Sequence, residues 1–149
     1  MTMIAPPETK APAVDAFLIH KETLIAAPPE IIFQAILDQV GPLESMKLQI
    51  EPFPGGRWFR DLGNNTGHLW GHVQVIKPPL LLELVGPMMM SYAVASHIQY
   101  RLTPEGSSTR LTLRHQAVGL IQTEHKSGLS DGWQAMMDAL RARCEQKAA

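Results

Sequence analysis

Apolar and polar residues alternate along most of the chain between residues 47 and 117, which is the period of a β-strand with one buried face. Turn-forming groups such as Pro54-Gly55-Gly56 and Gly63-Asn64-Asn65 interrupt this alternation. Together with an earlier alternating segment they predict seven strands, at residues 17–25, 47–53, 57–62, 68–77, 80–86, 95–103 and 108–117. Because short connections join the last six, these strands are expected to pair antiparallel.

Two segments carry apolar residues at helical spacing instead. The first predicts a short helix over about residues 29–38, with Pro29 in the first turn, and a weaker helical turn follows around Leu43 to Met46. The second predicts a long C-terminal helix, in which Gly128 and Gly132 are expected to allow a close approach to the sheet. Its apolar stripe consists of Leu129, Trp133, Met136, Met137, Leu140 and Cys144. This order of elements predicts an α+β fold whose sheet curls round the last helix.

The strand pattern also predicts which face of the sheet is wet. Along the last two strands, the alternate residues assigned to one face are apolar, apart from His115. The residues between them form the polar face, and they are His97, Gln99, Arg101, Arg110, Thr112 and Arg114. In strand 68–77 the core parity is assigned to Leu69, Val73 and Val75, which places His68, Trp70 and His72 on the outer face. The two histidines would then stand about 13 Å apart, too far to share a metal ion. An outward Trp70 leaves a homodimer contact open.

Composition narrows the classes of function. The 149 residues fit one domain over residues 15–149, preceded by a flexible tail rich in Pro and Ala at residues 1–14. A net charge of -1 gives no sign of the excess positive charge that proteins use to bind nucleic acid or an anionic membrane. With one cysteine, Cys144, no internal disulfide can form. No run is long enough to span a bilayer and no signal peptide is evident, so a cytoplasmic location is expected.

Five segments, taken in order, resemble the SRPBCC (START-like, polyketide-cyclase-like) superfamily, in the branch named after the activator of heat-shock-protein ATPase. They lie at residues 24–36, 54–59, 71–79, 108–113 and 132–133, and the resemblance extends over residues 16 to about 146. It implies a helix-grip fold, in which a curved antiparallel sheet and the C-terminal helix enclose a hydrophobic cavity. Many relatives carry a tryptophan-bearing segment after the first helix. This chain has Gly41 to Met46 there, so the front of the cavity is expected to differ.

The candidate cavity residues follow from the resemblance and from the predicted inner face. The loop methionines Met88 and Met89 suit an irregular apolar ligand at a cavity mouth, with folding over the core as the alternative. His115 is either a hydrogen-bonded core histidine or a polar anchor or proton donor for a ligand. The predicted lining consists of Trp58, Phe59, Met88, Met89, Tyr100, Leu113, His115, Trp133, Met136 and Met137. Neither a metal site nor a cofactor is expected, and no catalytic residue can be named.

Three functions remain open from the sequence. The leading hypothesis is binding of a small hydrophobic molecule such as a lipid, polyketide or aromatic metabolite in the cavity. The second is a cyclase, dehydratase or hydrolase that uses His115 or Tyr100 as acid or base, with Asp61 and Glu83 not assignable to either face. The third is a co-chaperone-like module with a chaperone partner, as the name of the branch suggests.

Overall fold

A computed structural model describes residues 13–149, and one seven-stranded antiparallel sheet organises this part of the chain. Its elements are β1 (Asp15–Ile25), α1 (Pro29–Leu37), α2 (Pro42–Ser45), β2 (Leu48–Ile50), β3 (Arg57–Gly63), β4 (Thr66–Lys77), β5 (Leu81–Gly86), β6 (Val94–Glu105), β7 (Ser108–Gly119) and α3 (Thr123–Ala148). The spatial order β1-β7-β6-β5-β4-β3-β2 places β1 beside the last strand. The predicted α+β helix-grip fold is confirmed. The predicted tail falls almost wholly on residues 1–12, outside the described range.

Helix α3 begins earlier than its apolar stripe predicts. Its first turn, from Thr123, is polar, and the first buried residue is Leu129, so periodicity gives no signal there. The turn is held from outside the helix, because the phenol oxygen of Tyr92 accepts a hydrogen bond from the backbone N–H of Gln122 at 3.1 Å. The same phenol contacts Nδ1 of His125 at 2.8 Å. A side chain from the β5–β6 connection therefore fixes where α3 starts.

The predicted one-sided sheet is confirmed in β6 and β7. Inward residues such as Ile98, Leu111 and Leu113 are fully buried, whereas their neighbours Arg101 and Arg114 are exposed. The apolar face packs against α1 and α3 and forms the core. Burial of each large apolar side chain there contributes roughly 1.5–3 kcal/mol.

A β-bulge overturns the predicted faces of β4. Trp58 pairs with Gly71 and Phe59 pairs with Leu69, so Trp70 is an extra residue in β4. The indole of Trp70 is only 1% exposed and packs edge-on against Trp58 at 5.2 Å, while Leu69 is 50% exposed. The sequence assignment of these two residues was therefore wrong. His72 is exposed on the outer face as predicted. His68 is also exposed, but it pairs with Arg60 and lies on the same face as Trp58 and Trp70, so its predicted outer position is wrong. The basis for a homodimer through Trp70 is gone.

The close approach expected at Gly128 and Gly132 is also wrong, because a Cβ added at either position would meet nothing within 4 Å. The close approach lies instead at Gly71, where a Cβ would come 2.3 Å from the carbonyl oxygen of Val85 on β5. Among the helices of residues 13–149, none combines the length and apolarity that crossing a bilayer requires. Over the same residues, no three His, Cys, Asp or Glu side chains converge as metal ligands would.

Candidate functional site

An apolar cleft of about 180 Å³ opens between α2, the β5–β6 connection and α3. The side chains around it are aromatic, aliphatic or methionine, and none carries a charge. They are Pro42, Leu43, Met46, Trp70, Met88, Met89, Leu129, Gly132, Trp133 and Met136. An apolar group placed in a space lined in this way would displace water from apolar surface.

The short helix α2 forms the front of the cleft. Gly41 precedes it with a φ of 108°, a conformation that favours glycine, and lies against α3, where a Cβ would come 3.2 Å from Cβ of Ala139. Pro42 then occupies the first turn. This contact with α3 positions Leu43 and Met46 over the cleft.

The methionine loop forms the opposite wall and is attached to the bulge in β4. The backbone N–H of Met88 donates to the carbonyl oxygen of Trp70 at 2.9 Å, which supplies that carbonyl with a hydrogen bond. Met88 and Met90 are buried and Met89 is half-buried. The bulge therefore both turns Trp70 inward and holds the loop that flanks it.

Trp58 lies behind Trp70 and forms part of the solid floor. Its indole N–H donates to Oε1 of Gln39 at 2.8 Å, and Nε2 of Gln39 donates to the carbonyl oxygen of Ile36 at 2.8 Å. Gln39 is buried and has a φ of 55°. Because Gln39 already satisfies the buried indole N–H, a ligand needs no hydrogen-bonding group to complete the floor.

His115 anchors Trp133 from inside the core. The indole N–H of Trp133 donates to Nδ1 of His115 at 2.9 Å, and Nε2 of His115 lies 3.0 Å from Oγ of Ser96. Since an indole can only donate, Nδ1 accepts, and the neutral ring carries its proton on Nε2 and donates to Ser96. His115 is fully buried, and this desolvation lowers its pKa to about 4. The ring is therefore neutral near pH 7.

The ten predicted lining residues divide into three groups. Four of them, Met88, Met89, Trp133 and Met136, lie on the cleft. Five are buried in the core and do not contribute to its surface, namely Trp58, Tyr100, Leu113, His115 and Met137. The open volume described here lies at the edge of α3, where Trp133 and Met136 border it.

Phe59 is the exception, because it lies on the other face of the sheet. Alternation along β3 places it opposite to Trp58, and the guanidinium of Arg57 stacks over its ring at 4.3 Å. The structure therefore places Phe59 away from the cleft.

The sequence reasoning missed Trp70, Leu129, Gly132 and the α2 residues as lining. The helical turn around Leu43 to Met46 was a usable signal, because apolar residues on a short helix are expected to cover another element of the fold. The bulge at Trp70 gives no comparable signal in the sequence.

Comparison with known proteins supports the fold. The model of the family described as Activator of Hsp90 ATPase homolog 1-like protein matches residues 26–145. No curated protein matches the chain.

Three solved structures are similar to the chain at low identity. The Mll3558 protein from Rhizobium loti is 21% identical with a TM-score of 0.69, over 87% of this chain and 98% of that one. CalU16 from Micromonospora echinospora is 21% identical with a TM-score of 0.56, over 91% and 93% of the two chains. DynU16, a protein of the dynemicin biosynthetic locus, is 16% identical with a TM-score of 0.65, over 88% and 48%. At these identities the likeness concerns the fold.

Proposed function

The chain belongs to the Activator of Hsp90 ATPase homolog 1-like family, and we propose that it binds a small apolar molecule in the cleft between α2 and α3. The observation that carries this proposal is a cleft of about 180 Å³ with no charged side chain in its lining. Such a surface gains free energy when an apolar group displaces water.

The volume limits the size of the bound group. An apolar cavity of about 150 Å³ accepts a benzene ring, whereas pockets for drug-sized ligands begin at roughly 300 Å³. The cleft therefore suits one aromatic ring or a short branched alkyl group. Burial of such a group contributes roughly 1.5–3 kcal/mol, so a bare ring is expected to bind with a Kd in the millimolar range.

Four methionines give the cleft room to adapt. Met46, Met88, Met89 and Met136 have flexible, polarizable side chains that change rotamer at little cost. Ligands of somewhat different shape are therefore expected to bind without movement of the sheet.

The test is a titration with toluene and indole followed by amide NMR, with two matched glycine variants. Gly132 lines the cleft and Gly128 does not, and both have open space at the Cβ position on α3. We expect signals of Leu43, Met89 and Leu129 to shift in the original protein and in Gly128→Phe, and to stay unchanged in Gly132→Phe, whose ring fills the cleft. Absence of binding, or equal binding by Gly132→Phe, would contradict the proposal.

The geometry gives the enzymatic alternative little support. Both ring nitrogens of His115 are engaged, so the ring has no free lone pair with which to take a proton from Ser96. Burial raises the pKa of Tyr100, which disfavours its phenolate form. Neither His115 nor Tyr100 reaches the cleft lining.

Binding to a chaperone remains a prediction, and it is based on the name of the family. Its direct test is the ATPase rate of a purified Hsp90 with and without this protein. The cytoplasmic location and the oligomeric state likewise remain predictions, for fractionation and light scattering to decide.

A further inference from the structure

The three tryptophans of the chain differ in how their indole N–H groups are satisfied. The N–H of Trp58 donates to Gln39, and the N–H of Trp133 donates to His115. The N–H of Trp70 meets no protein acceptor within residues 13–149, although Trp70 is as deeply buried as the other two. Trp70 therefore carries a hydrogen-bond donor that the described part of the chain does not use.

This donor opens into the cleft. Among the described residues, Nε of Arg60 is the one side-chain nitrogen or oxygen that is both unpartnered and closed to solvent, so the nitrogen of Trp70 keeps a solvent-accessible surface. Trp70 is only 1% exposed, and it is part of the lining of the cleft. The accessible part of Trp70, which includes its indole nitrogen, therefore borders the space that a ligand would occupy.

A bound group that fills the cleft would cut this N–H off from solvent. A pure hydrocarbon offers no acceptor in exchange, so it would leave a buried donor unpaired and would bind less tightly for that reason. A group with an oxygen atom at this position would accept the hydrogen bond instead. The cleft therefore favours an apolar group that carries one acceptor.

The rest of the lining disfavours other polar groups. Its polar side-chain atoms are the indole nitrogens, which only donate, and the methionine sulfurs, which are weak acceptors. A hydroxyl or amine on the ligand would find no side-chain oxygen or nitrogen to accept its hydrogen. A carboxylate would be buried without a counter-charge, because no lining side chain is charged.

We propose that the ligand is a neutral aryl or alkyl compound with a carbonyl or ether oxygen that accepts a hydrogen bond from Nε1 of Trp70. The inference rests on the proposed function of the cleft. Trp70 is held in place on two sides, since its carbonyl oxygen accepts from the backbone N–H of Met88 at 2.9 Å and its indole packs against Trp58 at 5.2 Å. The donor is therefore positioned before a ligand binds, which limits the entropy lost on binding.

The first test compares acetophenone with α-methylstyrene, which have the same shape and differ in a carbonyl oxygen replaced by a CH₂ group. It follows the three indole N–H signals of the original protein by NMR. We expect the Trp70 signal to move downfield and to exchange more slowly with solvent when acetophenone is added, and to show no downfield shift with α-methylstyrene. The signals of Trp58 and Trp133 are the internal references, because their N–H groups are already bonded.

The second test measures the Kd of both probes with the original protein, Trp70→Phe and Trp133→Phe. Both substitutions shorten an aromatic side chain of the lining, so the affinity for each probe is expected to change in both variants. Only Trp70→Phe removes the unpartnered N–H. We therefore expect the affinity for acetophenone relative to α-methylstyrene to fall about fivefold in Trp70→Phe and to keep its original value in Trp133→Phe, the matched control.

The outcomes separate this proposal from the proposed function of the cleft. If the Trp70 signal responds equally to the two probes, or if the affinity ratio in Trp70→Phe equals that of the original protein, the proposed acceptor is wrong while binding in the cleft stands. The indole signals are read in the original protein, so this result does not depend on the folding of a variant. If neither probe shifts the amide signals of Met89 and Leu129, the proposed function of the cleft fails as well.

Discussion

Substitution of His115 by asparagine tests the network that attaches α3 to the sheet. His115 contacts Trp133 on one side and Ser96 on the other, and the ring of Phe17 packs edge-on against it at 4.9 Å. None of these three neighbours carries a charge. Protonation would place a second N–H on Nδ1, facing the N–H of Trp133, and would break that hydrogen bond. The folded protein therefore resists protonation of this ring.

The magnitude follows from the difference between the folded and unfolded pKa. Burial lowers the pKa of His115 from 6.5 to about 4, so the unfolded chain binds more protons than the folded chain between these values. Stability therefore rises with pH across this window and is lost as pH falls from about 6.5 towards 4. At 1.36 kcal/mol per pKa unit the full loss is about 3 kcal/mol, and at pH 5 it is about 2 kcal/mol.

The assay is urea unfolding at pH 5, 6, 7 and 8, which stays above the range in which most carboxylates protonate. His115→Asn keeps an acceptor for Trp133 but cannot gain a proton. Its stability is expected to be lower at pH 8 because the smaller side chain packs less well, and to fall by about 2 kcal/mol less than that of the original protein between pH 8 and pH 5. Ser96→Ala retains the ring and should keep the original slope. Parallel curves for the original protein and His115→Asn would refute this account of the histidine.

Three further substitutions test the packing around the site by urea unfolding. Gln39→Met removes the acceptor of the buried Trp58 N–H and should cost about 1–3 kcal/mol, so an unchanged midpoint would show that the bond contributes nothing. Gly71→Ala forces a Cβ against the Val85 carbonyl and should lower the free energy of unfolding by roughly 1–3 kcal/mol or more. A variant as stable as the original protein would contradict this close approach. Gly128→Ala, in open space on α3, should stabilise by about 0.5–1 kcal/mol, and destabilisation would reveal a contact at this position.

Most of the secondary structure was readable from the chain, because each element carries its own period. Alternation alone predicts that Tyr100 and Leu113 face the core and that Arg114 faces solvent, because a strand has two faces and one is buried. The residues paired with them on neighbouring strands need not be known. The stripe of α3 was equally clear from Leu129 onward. Its first turn was not, because the hydrogen bond from Gln122 to Tyr92 joins residues 30 positions apart.

The cleft was less predictable than the fold, because its position depends on how elements meet. Phe59 and Trp58 are adjacent aromatics, and only the pairing of β3 shows that one faces the core and the other lies beneath Arg57. Gly132 looked like a point of close contact and proved to border open space. A glycine's role depends on what lies opposite, which its own sequence context does not contain.

The sequence by itself determined the family, through the resemblance of five segments in order. It also determined the order of the elements and the buried face of β6 and β7, since these depend on local periodicity. Only the tertiary structure decided where the interior is filled and where it is open. One bulge in β4 turned Trp70 inward, and the contact of Gly41 with α3 placed α2 over the remaining gap. Volume is a property of several surfaces meeting in space, and no single segment of the chain encodes it.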